Sequence, residues 1–365
     1  MPTKRYLILS DGTSYAGQAF GSLATTTGEI ITNSTMNGYQ EIITNQVHHN
    51  QIIVFTQPSI GNTGLDQNAY ESILPSAKGV VVREYENLAT DHLKRISLDR
   101  YLKQHGIPGI YGIDTRQLRH HLQQTGTLTA SIVDVNDEHA FDQLTATVLT
   151  NQQVSQVATP KPYPNPGEGD NVVVVDFGLK HGILRELAKR NCNVTVVPWN
   201  TTSERILDLD PDGVVLSTGP GSPNNLPDSV LTMIQEIQSA IPLMAIGLGH
   251  QLFGRANGAT VVALPVEHHG SNHPIKEIIT NETFYADQEQ GYELDTTSVD
   301  HSRLFITYID VINGSIQGLR HRDYPAFSVE FLPDGAPGPK DRVDLFDDFI
   351  EMMAVRRRND NGATY

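Results

Sequence analysis

Apolar and polar positions alternate in two different ways along this chain, and the change comes near its middle. Before residue 150, β-branched runs at 6–10, 29–32, 51–56 and 79–83 read as strands separated by tight turns. Helical period shows over 98–104 and 115–124, where Leu118 and Leu122 stand four apart, and Asp114 or Thr115 would cap the second helix. From residue 171 strands predicted over 171–176, 193–198, 213–217 and 243–246 alternate with helices over 179–190, 203–209, 227–240 and 250–257. Runs apolar on both faces, set between helices, predict a mostly parallel sheet flanked by helices.

The pattern therefore predicts an α/β protein: a β-rich α+β domain over 1–157, then a sheet-and-helix domain over 171–355. Between them, residues 158–170 carry prolines at 160, 162, 164 and 166. Proline forbids helix and disfavours ladder pairing, so this stretch is predicted to be a stiff, extended linker. The charged end, 356–365, is predicted to be a frayed, solvated tail.

Composition narrows the class. With 365 residues, 38% of them hydrophobic, the chain is long enough for two folded domains. A net charge of −16 argues against nucleic acid or an anionic membrane as a partner, and ordinarily serves solubility. No segment approaches the roughly 18 apolar residues of a membrane span, and the first residues enter a strand without a signal peptide. The single cysteine, Cys192, excludes an internal disulfide, and a cytoplasmic protein is expected. Cys192 lies in a short helix-to-strand connection, where packing is its expected role.

Candidate chemistry centres on residues 243–253, LMAIGLGHQLF. A buried strand, a glycine-pinched turn and a helix start are where an α/β hydrolytic enzyme places its nucleophile. The turn, Ala245-Ile246-Gly247-Leu248-Gly249-His250-Gln251, resembles the G-x-C-x-G-x-Q elbow of class I glutamine amidotransferases. Alanine stands at the first glycine, and Gly247 stands where the attacking cysteine belongs. Glycine cannot form a thioester, although its backbone accepts a strained elbow readily.

Further segments make the resemblance specific. Met36-Asn37-Gly38-Tyr39-Gln40-Glu41-Ile42-Ile43-Thr44, Gln57-Pro58-Ser59-Ile60-Gly61-Asn62 and Gly112-Ile113-Asp114-Thr115-Arg116 lie in the first half. Asp176-Phe177-Gly178-Leu179-Lys180, Leu216-Ser217-Thr218-Gly219-Pro220-Gly221-Ser222-Pro223, His268-His269-Gly270-Ser271-Asn272-His273-Pro274 and Ala336-Pro337-Gly338-Pro339-Lys340-Asp341 follow. Together, in this order, they resemble the small, glutaminase subunit of carbamoyl-phosphate synthetase over nearly its full length. The resemblance implies a C-terminal class I glutamine amidotransferase domain and an N-terminal domain that docks a large subunit.

The departures from that family fall on the catalytic positions. Gly247 occupies the nucleophile position. The His-Pro-Glu base motif aligns with Leu332-Pro333-Asp334, which puts leucine at the base position and Asp334 at the acid position. The substrate stretch Gln-Asn-His-Gly reads Gln288-Glu289-Gln290-Gly291. Glu289 would either repel glutamine's α-carboxylate or pair with its α-ammonium, which leaves glutamine binding open. The other substrate positions carried over are Thr35, Gly219 and Gly221 in the oxyanion turn, Leu248, Gln251, Gly291 and Tyr292.

By resemblance, the large subunit would bind ATP and Mg²⁺, activate bicarbonate and phosphorylate carbamate, leaving no cofactor on this chain. The small subunit would normally send ammonia to it through a tunnel, in a heterodimer or higher oligomer. A chain with Gly247 and Leu332 would dock without its own glutaminase, and the complex would depend on free ammonia. Two alternatives stand beside this reading: a working glutaminase with an unorthodox nucleophile, and a glutamine-binding regulatory protein. No metal site is expected. Adjacent histidines at 268 and 269 point to opposite faces of a strand, and His120 and His121 are neighbours on a helix. Gly219-Pro220-Gly221 lacks the Lys-Ser/Thr of a nucleotide-binding turn.

Overall fold

A computed structural model describes residues 3–87 and 96–362, with side chains through residue 359. The fold is mixed α/β and divides into two compact units. The first holds residues 1–150 together with 265–270, and the second holds 151–264 and 271–365.

The first unit is a closed barrel. Its strands follow one another around the wall as Lys4–Leu9, Ser14–Gly21, Pro108–Tyr111, Gly79–Val81, Gln51–Phe55, Thr26–Asn33 and Leu128–Val133, which pairs back onto Lys4–Leu9. Strand side chains alternate between faces, and here both faces are covered. Ile52 and Val54 pack with Leu7, Leu9, Val81 and Ile132, whereas Ile53 and Phe55 pack with Leu98, Tyr101 and Leu102. That two-sided burial explains the unbroken apolar run of the Gln51–Phe55 strand. The helix Thr115–Thr125 is capped by Asp114, whose carboxylate accepts the N–H groups of Arg116 and Gln117 at 3.2 and 3.0 Å.

The second unit is built on a ten-stranded sheet. Its centre is parallel, in the order Asn193–Pro198, Asn171–Asp176, Gly213–Leu216, Leu243–Ile246 and Ala326–Val329. Val173 and Val175 face one core, with Val230, Ile234 and Ile237 of the Asp228–Ala240 helix. Val172 and Val174 face the other, with Ile183 and Leu187 of the His181–Lys189 helix and Phe346, Phe349 and Met353 of the Leu345–Gly362 helix. Beyond Ala326–Val329 the sheet turns antiparallel through Ile316–His321, Leu304–Asp310 and Val261–Glu277 to Thr283–Leu294.

Three expectations need correction. The proline-rich stretch is not an unpaired linker, because Tyr163–Asn165 is a strand paired antiparallel with Asn193–Pro198. It lies at the sheet edge, where a strand needs hydrogen bonds on one side only and Pro164 is tolerated. The N-terminal segment of the first unit ends at Thr150 and not at 157, since Val154 of the Gln153–Val157 helix packs into the core of the second unit, and residues 265–270, expected in the second domain, belong to the first unit. The expected tail over 356–365 is helical as far as Gly362. Phe346, Phe349 and Met353 anchor that helix, and Arg357 adds an ion pair with Asp170 at 2.6 Å. Among the described residues, no helix is long and apolar enough to cross a membrane.

Candidate functional site

The Leu243–Ile246 strand ends at Gly247, and the Leu248–Ala256 helix begins directly after it. Gly247 caps that helix at φ 57°, ψ −117°, a backbone that L side chains adopt only under strain. Its N–H donates to Val329 O at 2.9 Å, and its carbonyl accepts from Gln251 N–H at 3.1 Å. The expected elbow is therefore formed. Leu248, the first helical residue, is one of those whose N–H has no intrahelical acceptor, as an oxyanion donor requires.

The Gly213–Leu216 strand leads into the second turn of the site, with Gly221 at φ 81°. Gly219 lies against the neighbouring backbone, where a Cβ would stand 2.2 Å from Phe177 O. Ser217, before the turn, is fully buried and its hydroxyl is committed: it accepts Phe177 N–H at 2.9 Å and donates to Thr218 O at 2.8 Å.

Leu332 is 3% exposed and packs among Val329, Phe331 and Ile246; its N–H donates to Asp287 O at 2.9 Å. Asp334 pairs with a lysine. Its Oδ2 lies 2.6 Å from Lys180 Nζ, with both side chains fully buried. The carboxylate also sits against the first turn of the His181–Lys189 helix, where a Cβ on Gly182 would fall 1.7 Å from Oδ2.

Glu289, Gly291 and Tyr292 lie along the Thr283–Leu294 strand. Tyr292 packs against the core beside the elbow helix and its carbonyl accepts from Gln251 Nε2 at 3.2 Å. Thr35 belongs to the first unit, where it is buried with its N–H on Asn33 Oδ1 at 2.9 Å. Within the second unit the fold thus gathers Gly247, Leu248 and Gln251 at one turn, joins Tyr292 to Gln251, and holds Asp334 on Lys180.

Two buried residues that sequence patterns did not single out complete the surroundings of the elbow. His250 Nδ1 pairs with Ser328 Oγ at 2.8 Å, and Glu330 Oε1 accepts from Gln251 Nε2 at 2.9 Å. His250 Nε2 and Glu330 Oε2 are 3.8 Å apart, within ion-pair distance. Burial nevertheless disfavours the charged form of both groups. It pushes the imidazole down to about 3, and it raises the carboxyl well above the ordinary carboxylate range against the opposing pull of the Gln251 hydrogen bond. Both shifts therefore favour the uncharged form of each group.

This pair predicts an unusual pH response. A carboxyl raised by folding destabilises the native state increasingly as pH climbs above about 4.5, its unfolded value. An imidazole lowered by folding does so as pH falls below about 6.5. Between those limits the two dependences have opposite sign and offset each other. Glu330→Gln keeps the volume and removes one slope. Its stability relative to the native chain should grow as pH rises above about 4.5, where the unfolded glutamate ionises and the folded one resists doing so. Urea unfolding followed by Trp199, the one tryptophan and a residue of the second unit, measures it. A stability gap independent of pH would rule this account out.

Comparison with known proteins gives these turns a context. Residues 7–132 match the family model "Carbamoyl-phosphate synthase small chain, CPSase domain", and residues 173–352 match "Glutamine amidotransferase class-I". A carbamoyl phosphate synthase pyrimidine-specific small chain of Lactiplantibacillus plantarum is 48% identical over 362 residues, covering 99% of both chains. Carbamoyl phosphate synthase small chains of Streptococcus pyogenes and Streptococcus mutans are 50% and 49% identical over 353 and 352 residues. These cover 96% of this chain and 98% and 97% of the respective relatives. With both halves matched in order and about half of all positions identical from end to end, the chain belongs to the carbamoyl-phosphate synthase small-chain family.

Proposed function

We propose that this chain serves as the small subunit of a carbamoyl-phosphate synthetase and has lost its own glutaminase. Its role is to dock on and support a large subunit that draws on free ammonia. The observation that carries this reading is the elbow itself: its apex, Gly247, has no side chain to attack an amide. The expected base position supports it, since Leu332 can neither accept nor donate a proton. Ser217, the nearest fully buried hydroxyl in the sequence of the oxyanion turn, is held in two hydrogen bonds and has no imidazole partner among those contacts.

The reading assigns ATP, Mg²⁺ and bicarbonate chemistry to the large subunit and no cofactor to this chain. Glutamine-derived nitrogen would not pass through this subunit. The test is carbamoyl phosphate formation by the purified pair with glutamine or ammonium as donor, after a pull-down establishes that a large subunit binds. Equal turnover with the two donors overturns the proposal, and so does failure of any large subunit to bind.

A further inference from the structure

The loss of a nucleophile's side chain leaves a space at an elbow, and in this protein that space is filled. An ideal Cβ placed on Gly247 would stand 2.6 Å from Thr218 Oγ1, 3.1 Å from Thr218 Cβ and 3.6 Å from Thr218 Cα. Thr218 is 2% exposed, so its side chain is packed in place. We propose that Thr218 plugs the nucleophile position, so that the elbow is closed to a thiol as well as lacking one. This rests on the reading of Gly247 as the former nucleophile position.

Two features keep the plug in place. Threonine carries two heavy atoms on Cβ, so two of its three staggered χ1 positions are always filled, and rotation also leaves the 3.1 Å approach of Cβ unchanged. The backbone behind it cannot retreat easily either. Gly219 is already pressed onto Phe177 O, and the Thr218 carbonyl accepts the Ser217 hydroxyl at 2.8 Å. Restoring amide hydrolysis would therefore need a change at residue 218 in addition to those at 247 and 332.

The test compares Gly247→Cys with Gly247→Cys/Thr218→Ala and Gly247→Cys/Thr218→Val, measuring alkylation of the new thiol by iodoacetamide with mass-spectrometric site assignment. Removing the γ atoms should speed labelling roughly tenfold or more, the scale of relieving one overpacked contact, whereas valine, which keeps the shape, should label as slowly as the threonine background. Cys192 is buried with its thiol pushed up to about 11 chiefly by burial, so it stays unlabelled in a folded protein and reports any variant that unfolds. Equal labelling in all three variants overturns the plug.

If the cysteine variants do not fold, a double-mutant cycle of Gly247→Ala and Thr218→Ala in urea serves instead. The strain of alanine at φ 57° is common to both backgrounds and cancels. A coupling of roughly tenfold in the unfolding constant is expected, and additivity refutes the proposal. Glutamine hydrolysis by the unmodified chain would remove the proposed loss of glutaminase while leaving this steric comparison standing; equal labelling would remove the plug and leave that loss untouched.

Discussion

With glutamine as the sole nitrogen donor, the complex of this chain with its large subunit should form carbamoyl phosphate only at background, while ammonium should support turnover. The expected gap follows from what a nucleophile contributes. Removing the nucleophile or the base of a catalytic triad lowers kcat about 10⁶-fold, roughly 8 kcal/mol of barrier. Losses within such a unit are not additive, so Leu332 lowers the rate little further once Gly247 is in place. The same non-additivity makes a sharper prediction. Gly247→Cys alone should remain at background with glutamine, because Leu332 offers no proton acceptor to make a thiolate and Thr218 stands within 2.6 Å of the new Cβ. Measuring carbamoyl phosphate with each donor, for the native chain and for Gly247→Cys, tests both statements. Glutamine-supported turnover rising to the ammonium level in either protein would refute them.

What the sequence could reveal of this fold depended on how local the signal was. The strand-turn-helix around Gly247 was legible because its apolar run, its glycines and its helix start are contiguous, and the positive φ of Gly247 fits a residue without Cβ. The Asn171–Asp176 and Gln51–Phe55 strands were legible because each is buried on both faces. The closed barrel was not. Its neighbour order sets Ser14–Gly21 beside Pro108–Tyr111, a pairing fixed by contacts nearly a hundred residues apart that no window of sequence contains. The antiparallel half of the sheet was also missed, because Val261–Glu277 carries polar and half-exposed positions along most of its length. Arg356, Arg357 and Arg358 suggested a solvated tail, yet the helix runs on from Phe349 and Met353 in the core. Of the site, sequence patterns located Asp334 but missed its partner, since Lys180 is 154 residues away and lysine is seldom fully buried.

That partnership makes Lys180 a sensitive position in the second unit. Lys180→Met should destabilise the unit by about 3–5 kcal/mol, because it leaves the Asp334 carboxylate buried without its ammonium. The expectation differs from that for an exposed ion pair, which contributes about 0–1 kcal/mol. Neither side chain here reaches solvent, so water cannot replace the missing charge. The double variant Lys180→Met/Asp334→Asn should recover much of the loss, since asparagine keeps the volume beside Gly182 without burying a charge. Urea unfolding read through Trp199 reports the second unit separately from the barrel, which matters because two units need not unfold together. A single variant within about 1 kcal/mol of the native chain would mean the pair contributes no more than a surface contact. A double variant no better than the single would mean the cost lies in the lost lysine stem and not in the stranded carboxylate. The predicted ordering, native above double above single, follows only if Asp334 is held as an anion by Lys180, in which case the acid position of this elbow serves the fold.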